Sequence, residues 1–219
     1  MDFALPSGPK MFVDRRAAGR ELGEHLAPRY PGADVIVLGL PGGGVPVAYE
    51  VAKALGAPLD VFVVRKLGAP FNPEFAIGAI ASGGVTVYHQ DAVRALRLDR
   101  AALEQIEARE RAELARRERL FRAERPPLQL EGKTAILVDD GIATGATMEA
   151  AVTAAKALGP RRVVVAVPTG ASDSVATLRR SADAVEVLSV PEPYIAVGAW
   201  YEHFTQTTDE EVVALLAAQ

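Results

Sequence analysis

The chain has 219 residues, 49% of them hydrophobic, which is enough for one domain with a full hydrophobic core. A formal net charge of −4 gives no overall attraction to nucleic acid or an anionic membrane, and no apolar run approaches the roughly 18 residues of a membrane span. Because cysteine is absent, disulfides and thiolate chemistry are excluded. Residues 1–6 lack a basic segment followed by an apolar one, so a cytoplasmic protein is expected.

Helices and short apolar strands alternate in the first part of the chain. A helix is predicted at residues 14–27, with Asp14 as its N-cap. The apolar run VIVL at residues 35–38 is typical of a strand buried on both faces, and a helix is predicted at residues 45–55. A second strand is predicted at residues 59–64.

A glycine-rich loop joins the first strand to the helix that follows it. Here Pro41 precedes three consecutive glycines, Gly42, Gly43 and Gly44. Consecutive glycines permit backbone conformations closed to other residues and let amide groups approach an anion closely. The loop is therefore a candidate anion site, although a tight flexible turn would explain the same glycines.

A basic pair, Arg65 and Lys66, ends the second predicted strand. At that edge of the sheet the two side chains are candidates for binding phosphate oxygens, and a solvated surface pair is the alternative. Residues 67–78 are rich in glycine and proline and too long for a simple connection, so we predict a lid or binding loop there. Residues 85–88 are predicted to form a weaker strand, half of a hairpin.

A long charged helix is predicted at residues 99–124. Together with the flexible loop before it, this helix makes up a section of the domain at residues 66–125. Arginine and glutamate alternate along the helix, and its apolar seam is thin: Leu103, Ile106, Leu114 and Phe121. We expect an ion-paired helix that rests on the domain or contacts another subunit, and that carries the lid. A nucleic-acid helix is disfavoured because its glutamates would repel phosphates.

The most informative segment follows the next predicted strand, residues 135–138. This strand ends in Asp139 and Asp140, and a turn of small residues then opens a helix at residues 148–158. Free backbone amides and a helix N-terminus around one point attract a phosphate, while the carboxylates can accept hydrogen bonds from sugar hydroxyls or hold a divalent cation. The expected ligand is a phosphorylated sugar. An ordinary loop with a helix-capping threonine is the alternative, and a dinucleotide fold is disfavoured because no G-x-G-x-x-G follows a strand.

The remaining elements complete an α/β pattern. Strands are predicted at residues 162–167 and 184–190, with helices at 172–180 and 208–218, the last capped by Thr208. We therefore predict a single domain, residues 1–219, with a mostly parallel central sheet and helices on both faces. Ligands of such sheets bind at the carboxyl ends of the strands.

The C-terminal segment, residues 189–219, is predicted to form a small hood over the site. Residues 189–204 bring four aromatic side chains into a segment that contains proline and glycine. Tyr194 and Trp200 are candidates for stacking on a planar ring. Packing of these rings against the core, or in a dimer contact, is the alternative.

The segment around Asp139 and Asp140 resembles the binding motif for 5-phosphoribosyl-1-diphosphate (PRPP) of the type I phosphoribosyltransferases. The resemblance covers about a dozen residues and includes Thr144-Gly145-x-Thr147, with Gly141 slightly off pattern. It implies that the two aspartates face the ribose hydroxyls and contact Mg²⁺ mostly through PRPP or water. It also implies a 5′-phosphate site made by Ala143, Thr144, Gly145, Ala146 and Thr147.

The same resemblance assigns pyrophosphate binding to residues 41–44. Gly42 stands where arginine is common in the family, so a cation must come from elsewhere, and Arg65 or Lys66 are the candidates. The implied activity is transfer of the phosphoribosyl group from PRPP to a nitrogen nucleophile, a nucleobase being expected, in nucleotide salvage. Asp139, Asp140, Arg65 and Lys66 are the expected catalytic residues.

The remaining expectations concern partners and alternative functions. Dimers are common in the family, so a homodimer is expected by analogy. The main rival is a non-catalytic PRPP- or nucleotide-binding regulator, which the absence of arginine at Gly42 favours. A phosphosugar hydrolase lacks support because no nucleophile and general-base pair stands out. The acceptor base is not specified by the sequence.

Overall fold

The structure, a computed structural model, describes residues 9–122 and 125–219. The strands are β1 (Val35–Gly39), β2 (Leu59–Val61), β3 (Val64–Ala69), β4 (Asn72–Ala81), β5 (Val85–Tyr88), β6 (Thr134–Val138), β7 (Arg162–Thr169) and β8 (Ala184–Ser189). The helices are α1 (Arg15–Leu26), α2 (Gly44–Leu55), α3 (Gln90–Ala95), α4 (Arg100–Arg122), α5 (Ala146–Lys156), α6 (Ser172–Ser181) and α7 (Asp209–Ala217), with a 3₁₀ turn at Val197–Trp200.

A five-stranded parallel sheet in the order β2-β1-β6-β7-β8 forms the centre of the fold. Every residue of β1 and β6 is buried, as continuous apolar runs require when both faces of a sheet are covered. One apolar cluster packs residues of α1, α2 and α7 against one face, and a second packs α5 and α6 against the other. The predicted α/β fold with helices on both faces is confirmed.

The strand order reverses between β1 and β6, and this places the candidate site. From β1 the chain proceeds outward to β2, whereas β6 leads to β7 and β8 on the opposite side. A crevice opens at the carboxyl ends of two strands whose connections diverge in this way. The glycine loop follows β1 and the acidic pair follows β6, so both predicted anion sites border this crevice.

Two predicted helix caps are present. Asp14 accepts a hydrogen bond from the amide of Ala17 at 2.7 Å, and Thr208 accepts one from the amide of Glu211 at 3.2 Å. The expected thin seam of α4 is also observed, since only Leu114 and Phe121 of that helix are buried. Its predicted last residues, 123–124, and the N-terminal segment 1–8 lie outside the described residues.

The structure corrects the prediction that residues 67–78 form a loop, while their role as a lid or binding segment stays a prediction. The second strand ends at Val61, and β3, β4 and β5 form a separate antiparallel sheet in that order. Pro70 lies in the two-residue turn between β3 and β4, and Pro73 lies where the pairing register shifts beside Gly68. Proline is tolerated at both kinds of position, so the prolines that suggested a loop are compatible with a hairpin. Residues 85–88 pair with β4 as predicted.

Helix α3 was not predicted from the sequence. It has six residues and none of them is buried, so it leaves no periodic apolar signal. Over the part of the chain that the structure describes, no helix combines the length and the apolar character needed to cross a bilayer.

Candidate functional site

The glycine loop and the acidic pair are in direct contact. A methyl group on Gly43 would lie 2.0 Å from Oδ2 of Asp140, and one on Gly44 would lie 2.7 Å from the carbonyl oxygen of Val138. The peptide bond between Pro41 and Gly42 is cis. Glycine is therefore required at two positions by the close approach of the loop to the end of β6.

The turn after β6 leaves a row of backbone amides without hydrogen-bond partners in the described part of the chain. No amide of residues 143–147 donates a hydrogen bond to another group among the described residues, and the first helical bond of α5 runs from Glu149 to the carbonyl oxygen of Gly145 at 2.8 Å. Gly145 caps the helix with φ of +81°, a left-handed conformation that favours glycine. Free amides at a helix N-terminus form an anion site. Residues 139–148, with Val197 above them, line a cavity of about 260 Å³.

The two aspartates lie in different environments. Oδ2 of Asp140 accepts a hydrogen bond from Nε of Arg15 at 2.8 Å, and the side chains are 14% and 12% exposed. The hydroxyl of Tyr201 donates to the backbone carbonyl of Asp140 at 2.5 Å. Oδ1 of Asp139 instead accepts the backbone amide of Asp140 at 2.8 Å. Burial, together with the negative charge of Asp140, raises the pKa of Asp139 well above its usual range.

Asp139 and Asp140 are suited to contact Mg²⁺ through the oxygens of a bound phosphate or of water, and not as a complete set of direct ligands. Among the described residues, no group of three or more histidine, cysteine, aspartate or glutamate side chains is placed to hold a metal ion. Arg15 already neutralises Asp140, and the raised pKa disfavours the ionised form of Asp139. A divalent cation would therefore take most of its ligands from a bound phosphate and water, as it usually does at such sites.

A larger cavity, of about 440 Å³, opens between the glycine loop and the antiparallel sheet. Pro41 and Thr147 line it, so it adjoins both predicted anion sites. Its charged lining is Arg65, Lys66, Glu74, Arg109, Glu110 and Arg117. Four cations against two carboxylates give this cavity a net positive charge, whereas the whole chain carries −4. Such a lining attracts phosphate groups.

Arg65 and Lys66 reach this cavity from a different place than predicted. They do not end a strand of the parallel sheet but belong to β3 of the antiparallel sheet. Nε of Arg65 donates to Glu110 of α4 at 2.9 Å, and Nζ of Lys66 donates to Glu74 of β4 at 3.1 Å. Both cations therefore line the predicted region while each is paired with a carboxylate.

The predicted ring-binding residues, Tyr194 and Trp200, lie beside each other in the hood. Their ring centroids are 6.0 Å apart at an interplanar angle of 38°. The phenol oxygen and the indole nitrogen are buried and have no hydrogen-bond partner among the described residues. Their role in binding a base stays a prediction.

Sequence reasoning missed Arg15, Tyr201 and two arginines of α4. Arg15 and Arg16 occupy the first turn of α1, where the helix dipole disfavours cations. This unfavourable placement is the feature of the sequence that could have indicated a functional role for Arg15. Arg109 and Arg117 lay within the alternating charges of α4 and gave no separate signal.

Comparison with known proteins supplies independent information. A family model described as the phosphoribosyl transferase domain matches residues 13–203. A Mycobacterium tuberculosis (strain H37Rv) protein, provisionally named phosphoribosyl transferase Rv0571c, is 54% identical over 207 residues, which are 94% of this chain and 46% of that protein. The chain thus spans about half the length of the curated relatives it matches. The crystal structure of TT1426 from Thermus thermophilus is 50% identical, with a TM-score of 0.88 over 95% of this chain and 98% of that one.

Proposed function

This chain belongs to the phosphoribosyl transferase family, and on that premise we propose that it transfers the 5-phosphoribosyl group of PRPP to a nitrogen nucleophile, with a nucleobase as the expected acceptor. One observation carries the proposal. The backbone amides of residues 143–147 that are unpaired among the described residues, the acidic pair and a net positive cavity adjoin one another at a single edge of the sheet. Each suits a different part of PRPP: the monophosphate, the ribose hydroxyls and the diphosphate.

The phosphoribosyl part is assigned to the smaller cavity. The amides of residues 143–147 and the hydroxyls of Thr144 and Thr147 would hold the 5′-phosphate, because they combine hydrogen-bond donors with the positive end of the α5 dipole. Asp139 and Asp140 would accept hydrogen bonds from the ribose hydroxyls. These contacts would fix the anomeric carbon relative to both cavities.

The diphosphate is assigned to the larger cavity and the glycine loop. Transfer breaks the bond from the anomeric carbon to the diphosphate oxygen and forms a bond to nitrogen, while the proton of the nucleophile passes to the released pyrophosphate or to water. Charge therefore accumulates on the departing pyrophosphate, where Arg65 and Lys66 would stabilise it. Mg²⁺ bound to PRPP would supply further positive charge there. Holding both fragments in line is the main contribution that positioning can make to the rate.

The first test is a calorimetric titration of the protein with PRPP in the presence of Mg²⁺. We expect saturable binding by the natural chain and none by the double variant D139N/D140N, which removes both carboxylates at nearly constant shape. Circular dichroism would show whether the variant keeps its fold. Absence of binding by the natural chain would refute the proposal, and unchanged affinity in the variant would remove the aspartates from the ribose role.

The second test concerns the larger cavity. Arg109 and Arg117 have carboxylate partners only at 3.5 and 3.9 Å within the described residues, so their guanidinium groups can turn to an anion. We expect R109Q/R117Q to weaken binding of inorganic pyrophosphate with Mg²⁺ by about tenfold or more, ~1.4 kcal/mol. The matched control is R100Q/R116Q, which removes the same charge from the same helix outside the cavity. Equal losses in both variants would mean that only the overall charge of the helix matters.

A non-catalytic PRPP-binding regulator is the second candidate. Gly42, where arginine is common in the family, favours it. Measuring pyrophosphate release over a panel of purines, pyrimidines and other amines separates the two. Binding of PRPP without release for any acceptor would favour the regulator. The homodimer and the cytoplasmic location stay predictions.

A further inference from the structure

Arg15 occupies an unfavourable position for a cation. It is the first residue of α1, directly after the N-cap Asp14, and the first turn of this helix contains no acidic residue. A positive charge at a helix N-terminus is opposed by the helix dipole by about 0.3–1 kcal/mol. Residues that break such a local rule are compensated elsewhere in the fold, often at functional sites.

The compensation comes from three contacts that reach two distant parts of the chain. Nε of Arg15 donates to Oδ2 of Asp140 at 2.8 Å. Nη1 donates to the backbone carbonyl of Thr205 at 2.5 Å, and the guanidinium carbon lies 3.9 Å from the centroid of the Phe204 ring. A planar guanidinium makes an ion pair, a carbonyl hydrogen bond and a stacked ring contact in one fixed geometry, whereas an ammonium group is a point charge without this planar fork.

The segment that Arg15 holds covers the glycine loop. This segment comprises residues 202–207. At its start, the amides of Glu202 and His203 donate hydrogen bonds to the carbonyls of Phe12 and Val13 at 2.8 and 2.9 Å. Further along, Thr207 lies against the loop, since a methyl group on Gly42 would be 3.4 Å from its carbonyl oxygen. Between these two points, the side chain of Arg15 contacts Phe204 and Thr205.

We infer that Arg15 is a positioning residue that ties the C-terminal hood to the ribose-binding carboxylate Asp140. The inference rests on the proposed function for the ligand, and on the contacts above for the tie itself. Arg15 fixes the orientation of Asp140 and at the same time places a positive charge beside Gly43, where a methyl group would lie 2.8 Å from its Nε.

The experiment compares R15Q and R15K with the natural chain, and uses R16Q as the matched control. Arg16 is the next residue in the same helix turn and pairs with the buried Glu50 at 2.6 Å, away from the acidic pair. Two quantities are measured: the Kd for PRPP with Mg²⁺, and quenching by acrylamide of the fluorescence of Trp200, the single tryptophan, which lies in the hood.

We expect R15Q to raise the Kd at least tenfold and to increase the quenching of Trp200, because Asp140 and the hood are both released. R15K should restore part of the affinity, since the charge returns, but not the protection of Trp200. R16Q should lower the Tm and leave both quantities unchanged.

Two outcomes would overturn the inference. One is an R15Q variant that binds PRPP and protects Trp200 as the natural chain does. The other is equal changes in R15Q and R16Q, which would reduce Arg15 to a general stabilising role. If the natural chain itself fails to bind PRPP, the proposed function is wrong, whereas the quenching comparison still decides whether Arg15 holds the hood.

Discussion

Replacing Gly44 with alanine is expected to lower the free energy of unfolding by about 1–3 kcal/mol, the usual cost of forcing an extra methyl group into a packed site. The methyl group would lie 2.7 Å from the carbonyl oxygen of Val138 and 3.0 Å from Cα of Asp139. Both are backbone atoms at the end of the central strand β6, whose residues are all buried, so neither can move without disturbing the sheet. Urea-induced unfolding measures the effect.

Gly43→Ala should instead weaken PRPP binding strongly and lower the free energy of unfolding only slightly. Its methyl group would lie 2.0 Å from Oδ2 of Asp140, so the carboxylate must rotate away and give up its ion pair with Arg15. We expect at least a tenfold loss of PRPP affinity, ~1.4 kcal/mol or more, with a smaller loss of stability than in Gly44→Ala.

Gly42→Ala is the control for stability, because its methyl group meets nothing closer than the carbonyl oxygen of Thr207 at 3.4 Å. A PRPP affinity of Gly43→Ala equal to that of the natural chain would contradict the position assigned to Asp140. Equal stabilities of Gly44→Ala and Gly42→Ala would contradict the close packing of the loop on β6.

Features that depend on neighbouring residues along the chain could be predicted from the sequence. The caps at Asp14 and Thr208 rest on side chains that bond amides three residues later, and the buried strands β1 and β6 are continuous apolar runs. The turn at residues 143–147 is local too, since it joins a strand directly to a helix. The parallel sheet follows because strands and helices alternate with short connections.

Features that depend on distant residues could not be predicted. The hairpin of β3 and β4 is stabilised by cross-strand pairing and by packing against α5, while its two prolines suggest a loop when read alone. The ion pair between Arg15 and Asp140 joins residues separated by 125 positions, and no pattern in the chain connects them. The cations of the larger cavity come together only because β3 and α4 pack side by side, which the alternating charges of α4 conceal.

Asp139→Asn is expected to stabilise the protein while it weakens PRPP binding. Burial and the charge of Asp140 raise the pKa of Asp139, so near neutral pH the folded chain must either keep a proton there or hold an unfavourable charge. Asparagine removes this cost and keeps an oxygen for the amide of Asp140, which Oδ1 of Asp139 accepts at 2.8 Å. We expect the free energy of unfolding to rise by about 0.5–2 kcal/mol, the usual range for a single stabilising substitution. The Tm should rise by about 2–4 °C for each kcal/mol.

The pH dependence of this gain identifies its cause. A carboxyl whose pKa is higher in the folded than in the unfolded state binds its proton more tightly when folded, so its cost appears as the pH rises above the unfolded pKa of about 4. The difference in stability between Asp139→Asn and the natural chain should therefore be near zero below that pH and grow toward neutrality. Asp140→Asn is the comparison variant with the opposite expected sign. It removes the ion-pair partner of Arg15 and should therefore lower the free energy of unfolding. A gain in Asp139→Asn that stays constant from pH 4 to pH 7 would exclude titration of Asp139 as its origin, since only a group that changes its protonation over this range can produce the slope.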